Sequence, residues 1–174
     1  QPPQVLALTP SPLAVVQGAT GTLTVTLNAA QATDTVVPIT TNNATVVDVP
    51  VSVTVPAGLT TAPVSVSGLI IGTATITATL NGTATVTVNI VPPPPVVTAL
   101  GPIPPVTAPL TLAKGRTGVL QVTINRAPTD PTVITLQNSA TSVVTVPPSV
   151  TVAAGQLTAS FPVTTQTQGQ ATIT

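Results

Sequence analysis

Apolar and polar residues alternate along most of the chain. The segment 22–27, TLTVTL, places leucine or valine at every second position and threonine between them. Residues 51–55, 74–80 and 84–90 also alternate, with alanine and isoleucine among the apolar residues and serine and asparagine among the polar ones. Because successive side chains of a β-strand point to opposite faces, this alternation predicts half-buried strands. No segment repeats its apolar residues at helical spacing over a useful length, so we predict no helix.

Glycine, asparagine and proline mark the connections between these strands. Asn81-Gly82 lies between two alternating runs and predicts a hairpin with a type I′ turn, which needs positive φ at both central residues. The segments 56–58 and 153–155 predict two further turns. Prolines near or inside strand patterns predict sheet edges or bulges, because proline has no N–H to give to the ladder. They are Pro38, Pro63 and Pro162.

Three segments of the first half of the chain return in the second half at one constant offset. The pairs are QGATGTLTVTLN (17–28) with KGRTGVLQVTIN (114–125), VSVTVPAGLTTAPVSV (51–66) with PSVTVAAGQLTASFPV (148–163), and GTATIT (72–77) with GQATIT (169–174). A repeat of this length has the size of one small domain. The sequence therefore predicts two modules of like fold.

The boundaries follow from the repeat and from the prolines. We predict module 1 over 1–91, a proline-rich linker over 92–96 and module 2 over 97–174. Four consecutive prolines favour extended polyproline II, which makes a stiff spacer. A second proline-rich stretch, 101–109, predicts an edge strand or a lead-in to module 2. Module 2 stops inside the segment that matches the last hairpin of module 1. We expect it to lack that hairpin, either as an excerpt of a longer array or because another segment completes its sheet.

Short strands with frequent turns indicate the fold class. The spacing of turn signals predicts about seven strands in each module, which is typical of an antiparallel β-sandwich. The predicted cores are aliphatic, without the buried tryptophan and cysteine pair of antibody domains. The fold prediction is all-β: two tandem antiparallel β-sandwiches, the second without its final hairpin.

The string VSVTVPAGLTTAPVSV, followed by GTATITATLNGTATVTV, resembles the bacterial immunoglobulin-like repeats of large cell-surface and extracellular proteins. The resemblance covers nearly all of module 1 and module 2 up to the missing hairpin. It implies an immunoglobulin-like fold and a place in stalks, spacers, adhesin shafts or appendages of secreted enzymes. It implies no chemistry.

The composition excludes many functions. The chain has 174 residues with no His, Cys, Met, Trp or Tyr, and 3 % of them are charged. Cysteine or histidine catalysis, disulfides and Cys/His metal sites are therefore excluded. The net charge is +0, which offers no basic surface for nucleic acid, and no apolar run is long enough to insert into a membrane. We predict no enzyme activity, no catalytic residue, no cofactor and no metal site.

Charged side chains are confined to a few positions. Asp34 and Asp130 lie at nearly equivalent loop positions, which suits either a calcium ligand or an Asx-type turn that caps local N–H groups. One carboxylate in each loop is few for calcium, which usually has several. Lys114, Arg116 and Arg126 form a small cationic spot on module 2, either ordinary surface charge or a contact between subunits.

Threonine ladders are predicted on both strands of the last hairpin of module 1. Threonine is a good strand former that solvates a sheet without charge. The alternatives are O-glycosylation and a flat array of the kind that binds ice, against which the twist of a sandwich sheet argues. Asn43-Ala44-Thr45 also matches the N-glycosylation pattern. The candidate glycosylation sites are Asn43, Thr75, Thr77, Thr85 and Thr87.

Neutrality combined with strand-rich patterning indicates a protein that associates or carries glycan, since charged side chains normally keep strand edges apart. We predict a non-enzymatic structural protein, extracellular or on the cell surface, whose tandem repeats form a stalk, sheath or self-assembling filament. Its predicted partner is itself, by strand donation, with residues 1–9 as a candidate donor segment. The alternatives are an adhesin that binds glycan or ice and a spacer of a secreted enzyme.

Overall fold

The described part of the protein is all-β, with 53 % of its residues in strands and no helix. The structure is a computed structural model and describes residues 2–103 and 110–174. The chain forms two compact units, Gln1–Pro93 and Pro94–Thr174, so the division falls within the four consecutive prolines. No helix long and apolar enough to cross a membrane occurs among the described residues.

Unit 1 is a sandwich of two sheets. Its strands are β1 (Val5–Thr9), β2 (Leu13–Val16), β3 (Thr20–Leu27), β4 (Thr35–Thr41), β5 (Val47–Asp48), β6 (Ser52–Val55), β7 (Thr61–Gly68), β8 (Gly72–Thr79) and β9 (Thr83–Val91). One sheet has the order β1-β3-β7-β5 and the other has the order β2-β9-β8-β4-β6. These are more strands than the sequence predicted, because Pro10-Ser11-Pro12 separates β1 from β2 and because β5 is only two residues long.

The predicted alternation sets which side chains form the core of unit 1. Leu23 and Val25 of β3 are completely buried, and Thr24 between them is half-buried on the outer face. Ile76 of β8 and Val88 of β9 are also completely buried. Burial of aliphatic side chains is the main favourable term in folding. The alternation of apolar residues with threonine is therefore the source of both the strands and the sandwich.

The edge of the second sheet departs from the predicted antiparallel pattern. Strand β2 pairs with β9 in parallel, with Leu13 opposite Val88 and Val16 opposite Val91. The chain reaches this arrangement because β1 belongs to the first sheet and β2 to the second. Within unit 1, an early strand and the last strand thus lie side by side.

The strand prolines lie where no ladder bond is lost. Leu27 N donates to Thr60 O at 2.8 Å, and Gly68 N donates to Ala19 O at 3.0 Å. Because hydrogen-bonded pairs alternate along an antiparallel ladder, Pro63 directs its backbone away from β3. Strand β5 pairs only with the last two residues of β7, so Pro63 lies on a free edge.

Unit 2 places Pro162 in its last strand, β15 (Thr158–Thr165), opposite Val119 of the neighbouring strand. This position lies two residues beyond the counterpart of Pro63, so the alternation of the ladder gives both prolines the same orientation. Pro38 lies where β4 changes its pairing from β6 to β8: it is the last residue of the ladder with β6, and the ladder with β8 begins at Ile39. The segment 35–38 is thus paired on one side only, which agrees with the predicted edge position of this proline.

The connection between β8 and β9 corrects the predicted turn type. Thr79 pairs with Thr83, so three residues form the connection, and Leu80 N donates to Gly82 O at 2.9 Å. Asn81 has a φ of 46°, whereas Gly82 is not among the glycines with positive φ. A type I′ turn requires positive φ at both residues, so that prediction is wrong. The hairpin itself is present.

Unit 2 contains six strands in its described part. They are β10 (Val97–Pro102), β11 (Thr117–Ile124), β12 (Thr132–Thr135), β13 (Val144–Thr145), β14 (Ser149–Val152) and β15 (Thr158–Thr165). The sheets have the orders β10-β11-β15-β13 and β12-β14. Strand β10 covers the start of the predicted stretch 101–109, most of which lies outside the described residues.

The final segment of unit 2 follows the same course as the start of β8. Gln137 and Thr174 exchange two backbone hydrogen bonds of 2.7 and 3.0 Å, and Asn138 pairs with Ile173. Residues 110–113, the counterpart of β2, form no strand in the described residues. Leu110 is 39 % exposed, whereas its counterpart Leu13, in β2 beside β9, is 9 % exposed.

The two predicted turns after β6 and β14 have the same geometry. Leu59 N donates to Pro56 O at 3.0 Å and Gln156 N donates to Ala153 O at 3.1 Å, with φ of 79° at Gly58 and 75° at Gly155. Positive φ at the third position of the turn is the requirement of a type II turn, which glycine meets without steric cost.

Replacing either of these glycines with alanine is expected to cost about 1–2 kcal/mol, because an L-residue is strained at this φ. An added Cβ would meet open space at both positions, so the backbone alone sets the cost. Urea unfolding of Gly58→Ala and Gly155→Ala, followed by amide exchange in each unit, measures it. A cost below the error of the measurement at both positions would contradict the proposed strain.

Candidate functional site

Four of the five candidate glycosylation sites lie together on the outer face of the second sheet of unit 1. Thr75 of β8 is paired with Thr87 of β9, and Thr77 is paired with Thr85. Thr77 is also paired with Thr40 of β4, so one row of hydroxyls crosses three strands. Directly opposite residues of an antiparallel pair have Cβ atoms about 5 Å apart. The result is a neutral face of closely spaced hydroxyl groups.

These four threonines differ in accessibility. Thr85 and Thr87 on β9 are exposed, whereas Thr75 and Thr77 on β8 are half-buried between neighbouring strands. At the end of the ladder, Thr73 Oγ1 donates to Asn89 Oδ1 at 3.1 Å. A hydroxyl both donates and accepts hydrogen bonds, so β9 presents the more accessible hydrogen-bonding groups of the face.

Asn43 is separate from this face, in the connection between β4 and β5. Its Oδ1 accepts hydrogen bonds from Thr45 N at 3.2 Å and from Thr45 Oγ1 at 2.7 Å. The side-chain oxygen of the asparagine is thus bound within its own Asn-Ala-Thr motif. The residue before it, Asn42, accepts from Thr75 N at 2.8 Å and ties the loop to the threonine face.

Asp34 links two loops at one end of unit 1. Ala57 N donates to Asp34 Oδ1 at 2.9 Å, across 23 positions of the chain. The local Asx-type turn expected for this residue is therefore wrong, because the carboxylate caps the turn before β7 instead. Asp130 has a different partner, the adjacent Thr129, whose Oγ1 lies 3.4 Å from Asp130 Oδ2. The described residues contain no group of three or more metal-ligating side chains.

Two of the three cationic residues of unit 2, Lys114 and Arg116, lie on a turn that a buried hydroxyl holds, whereas Arg126 lies beyond the other end of the next strand. Thr165 Oγ1 donates to Ala113 O at 2.6 Å and lies 3.1 Å from Arg116 O, and it accepts from Arg116 N at 3.1 Å. Lys114 and Arg116 are exposed on this turn, and Arg126 is half-buried elsewhere. Thr165 was not predicted from the sequence, because its counterpart in unit 1 is Gly68 and the repeat therefore gives no signal.

Thr165→Val is expected to destabilise unit 2 by about 0.5–1.5 kcal/mol, because it removes the hydroxyl that bonds Ala113 O and Arg116 N, while the backbone bond from Arg116 N to Ala113 O remains. Trypsin cleavage after Lys114 and Arg116 should then become faster. Thr164→Val is the matched control, since the hydroxyl of Thr164 bonds only to the exposed Thr117 Oγ1 at 3.0 Å. Equal cleavage rates in the two variants would remove the role assigned to Thr165.

Paired asparagines hold the start of each unit. Asn28 Oδ1 accepts from Gln4 N at 2.9 Å, and Asn125 Oδ1 accepts from Val96 N at 2.9 Å. The signal for this role was present in the repeat, where both residues end an aligned segment. These bonds fix the first strand of each unit against its neighbour.

Two hollows in the described residues offer little chemistry. The first, of about 270 Å³, is lined mainly by the aliphatic side chains of Leu136, Val144 and Val146. The second lies beside the free part of β7 and contains Asp48 with Ser65 and Ser67. The first contains no titratable side chain among the described residues, and in the second no hydrogen bond joins the Asp48 carboxylate to the hydroxyl of Ser65 or Ser67, whereas an activated nucleophile is bonded to its base.

Comparison with known proteins finds similarity only among solved structures. No protein-family model and no curated protein matches the chain. Domains 4 and 5 of the S-layer protein SbsC are 23 % identical, with a TM-score of 0.40, over 51 % of this chain and 53 % of that one. A structure of SbsC domains 4–9 is 18 % identical, with a TM-score of 0.41, over 95 % of this chain and 28 % of that one. The class 5 fimbriae chaperone CfaA is 12 % identical, with a TM-score of 0.38, over 96 % of both chains.

This chain thus spans about half, or less, of the S-layer chains that it matches. Sequence identity is low in all three comparisons, so the function proposed for this chain rests on its own residues.

Proposed function

We propose that this chain is a non-enzymatic structural protein, extracellular or on the cell surface, whose tandem immunoglobulin-like modules form the repeating part of a stalk, sheath or filament. The observation that carries the proposal is a repeat that extends to single hydrogen bonds. The turns at Gly58 and Gly155 and the asparagine ties at Asn28 and Asn125 are the same in both units. A repeat of one fold without a repeat of any reactive group is typical of architecture rather than chemistry.

Composition supports an exposed, oxidising location. The chain has no cysteine or methionine to oxidise and no histidine to titrate near neutrality. Its modules are 1–91 and 97–174, joined by the linker 92–96, in which proline removes backbone donors and stiffens the chain.

Self-assembly by strand donation is the finer part of the proposal. Residues 1–9, the candidate donor, include β1, which pairs with β3 of its own unit and buries Val5 and Leu8. Donation of this segment would therefore open unit 1, so a different strand must serve. The acceptor is the segment 110–113 of unit 2, where a strand would pair as β9 pairs with β2 and would cover Leu110.

The side chain at position 165 of unit 2 determines which donor strand fits beside the segment 110–113. In unit 1, Ile90 of β9 lies over Gly68, so that a Cβ on Gly68 would stand 3.1 Å from Ile90 Cδ1. Unit 2 has Thr165 at this position, with its hydroxyl bonded to Ala113 O. An incoming strand therefore needs a small residue where β9 has Ile90.

A peptide with the sequence of β9 is expected to bind unit 2 more weakly than the same peptide with the substitution Ile90→Gly. Equal binding, or none by either peptide, would contradict this joint.

Glycan on the threonine face is the second fine feature that we propose. Accessibility favours Thr85 and Thr87 over Thr75 and Thr77, with Asn43 as a separate N-linked candidate. Native material should then exceed the mass of the sequence, and Thr85→Val with Thr87→Val should remove more of the excess than the same change at Thr75 and Thr77. Native mass equal to that of the sequence would exclude glycan.

Negative-stain electron microscopy of the native material tests the main proposal. Ordered fibres or sheets with a repeat of one or two modules, or isolated rods of tandem modules, are the expected results. The fibres favour a self-assembling protein and the rods favour a stalk. Compact particles without a modular repeat would contradict the proposal. Binding to a glycan array or to ice, lost on substitution of Thr85 and Thr87, would instead favour an adhesin.

A further inference from the structure

The hairpin between β8 and β9 carries an asparagine whose surroundings differ from those of the other asparagines. Asn81 is exposed, has a φ of 46° and is followed by Gly82. The Gly82 N–H donates to no acceptor within the described residues, while Leu80 N donates to Gly82 O. Asn81 Nδ2 donates to Pro3 O at 2.7 Å, and no bond to its Oδ1 is present in the described residues. We propose that Asn81-Gly82 is a site of spontaneous deamidation that releases the start of the chain from this hairpin.

The step needs only the peptide group and water. The backbone nitrogen of Gly82 attacks Cγ of Asn81, the Cγ–Nδ2 bond breaks, and ammonia leaves with the proton of the Gly82 N–H. Water then opens the resulting succinimide. Hydrolysis at Cγ gives aspartate, and hydrolysis at the backbone carbonyl carbon gives isoaspartate, whose main chain runs through Cβ and Cγ.

Glycine makes this position the most reactive of the asparagines, because no Cβ on the following residue obstructs the attacking nitrogen. The other asparagines precede bulkier residues, and their side-chain oxygens are bound to partners. Asn28 binds Gln4 N, Asn43 binds Thr45, and Asn125 binds Val96 N. These three asparagines are therefore internal controls for the reaction at Asn81.

The product differs from the starting residue at the contact with Pro3. A carboxylate has no N–H to donate, so the bond to Pro3 O is lost and two oxygens face each other. Asn28 still holds Pro2 O and Gln4 N from the end of β3. Residues 2–4 thus bond to both sheets in the intact protein, through Asn28 and Asn81. After deamidation their bonds to Asn28 remain and the bond to residue 81 is lost. The net charge falls from zero by one, a large change in a chain with six charged residues at pH 7, three of each sign.

Incubation of the full chain in mildly alkaline buffer tests the reaction, with peptide mapping by mass spectrometry and isoelectric focusing as readouts. Asn81 should yield aspartate and isoaspartate before any other asparagine.

Gly82→Ala should not form this product at a comparable rate. It is tolerated because the added Cβ would meet mainly the flexible Gln4 side chain, whose Nε2 would be 2.7 Å away. Gly101→Ala, with open space around its Cβ, is the matched control. Earlier reaction at another asparagine, or an unchanged rate in Gly82→Ala, would overturn the proposal.

Amide exchange tests the release separately. Val5 N donates to Leu80 O at 3.0 Å, directly beside the bond from Asn81 Nδ2 to Pro3 O. Asn81→Asp should accelerate exchange of the Val5 amide, whereas Asn89→Asp adds the same charge on β9 and should leave it unchanged. Equal exchange in both variants would overturn the release, whatever the outcome of the incubation.

Discussion

Leu23→Ala is expected to lower the free energy of unfolding of unit 1 by about 2–5 kcal/mol. Leu23 is completely buried between the two sheets of the sandwich. Truncation removes apolar contacts and leaves a cavity that close-packed neighbours cannot fill. Folded proteins of this size are stable by only about 5–15 kcal/mol in all, so a loss of this size is readily measured.

The measurement follows amide exchange and circular dichroism in urea, because the chain has no tryptophan or tyrosine to report by fluorescence. Leu120→Ala, at the counterpart position in unit 2, is the matched variant. Leu120 is 8 % exposed, so we expect a smaller loss there. Thr22→Ala changes the exposed neighbour of Leu23 and should have little effect. Equal losses for Leu23→Ala and Thr22→Ala would contradict the assignment of the core.

Gly21→Ala is expected to destabilise unit 1 by about 1–3 kcal/mol through overpacking. A Cβ on Gly21 would stand 2.6 Å from Val15 Cγ2 and 3.3 Å from Leu13 Cδ2. Both neighbours belong to β2, which is held in place by its ladder with β9. Because valine has little rotameric freedom, the strand itself must move.

Gly118→Ala places the same substitution at the counterpart position in unit 2. The added Cβ would stand 2.9 Å from Leu112 Cδ1, the far end of a flexible side chain, in a segment that forms no strand. We therefore expect a loss clearly smaller than that of Gly21→Ala. The free energies of unfolding of Gly21→Ala and Gly118→Ala, measured by chemical denaturation, test this difference. A larger loss for Gly118→Ala would show that β2 is not held as described.

Local patterning predicted most of the strands and the core. Alternation along 22–27 and 84–90 was sufficient to predict that Leu23 and Val88 point inward, because strand geometry leaves no other choice. The repeat predicted that Gly58 and Gly155 occupy equivalent turns. These features depend on residues close together in sequence.

Features that depend on distant partners were not predictable in the same way. The parallel pairing of β2 with β9 follows from where the two sheets meet, and nothing in the segment 13–16 carries that information. Asp34 was expected to cap its own loop, but the sheet brings Ala57 to it. The turn at Asn81 was assigned from a dipeptide, whereas the register of Thr79 with Thr83 adds a third residue. The threonine face was predicted strand by strand, and only the register shows that its hydroxyls stand in rows.

The parallel pairing of β2 with β9 has a mechanical consequence. If unit 1 is pulled by the chain before Leu13 and after Val91, the two strands are drawn in opposite directions along their own axes. Their ladder, from Leu13–Val88 to Val16–Val91, is then loaded in shear, and its hydrogen bonds must fail together. An antiparallel hairpin pulled from its two adjacent ends would instead open one bond at a time. Unit 1 therefore resists extension that is applied through β2 and β9.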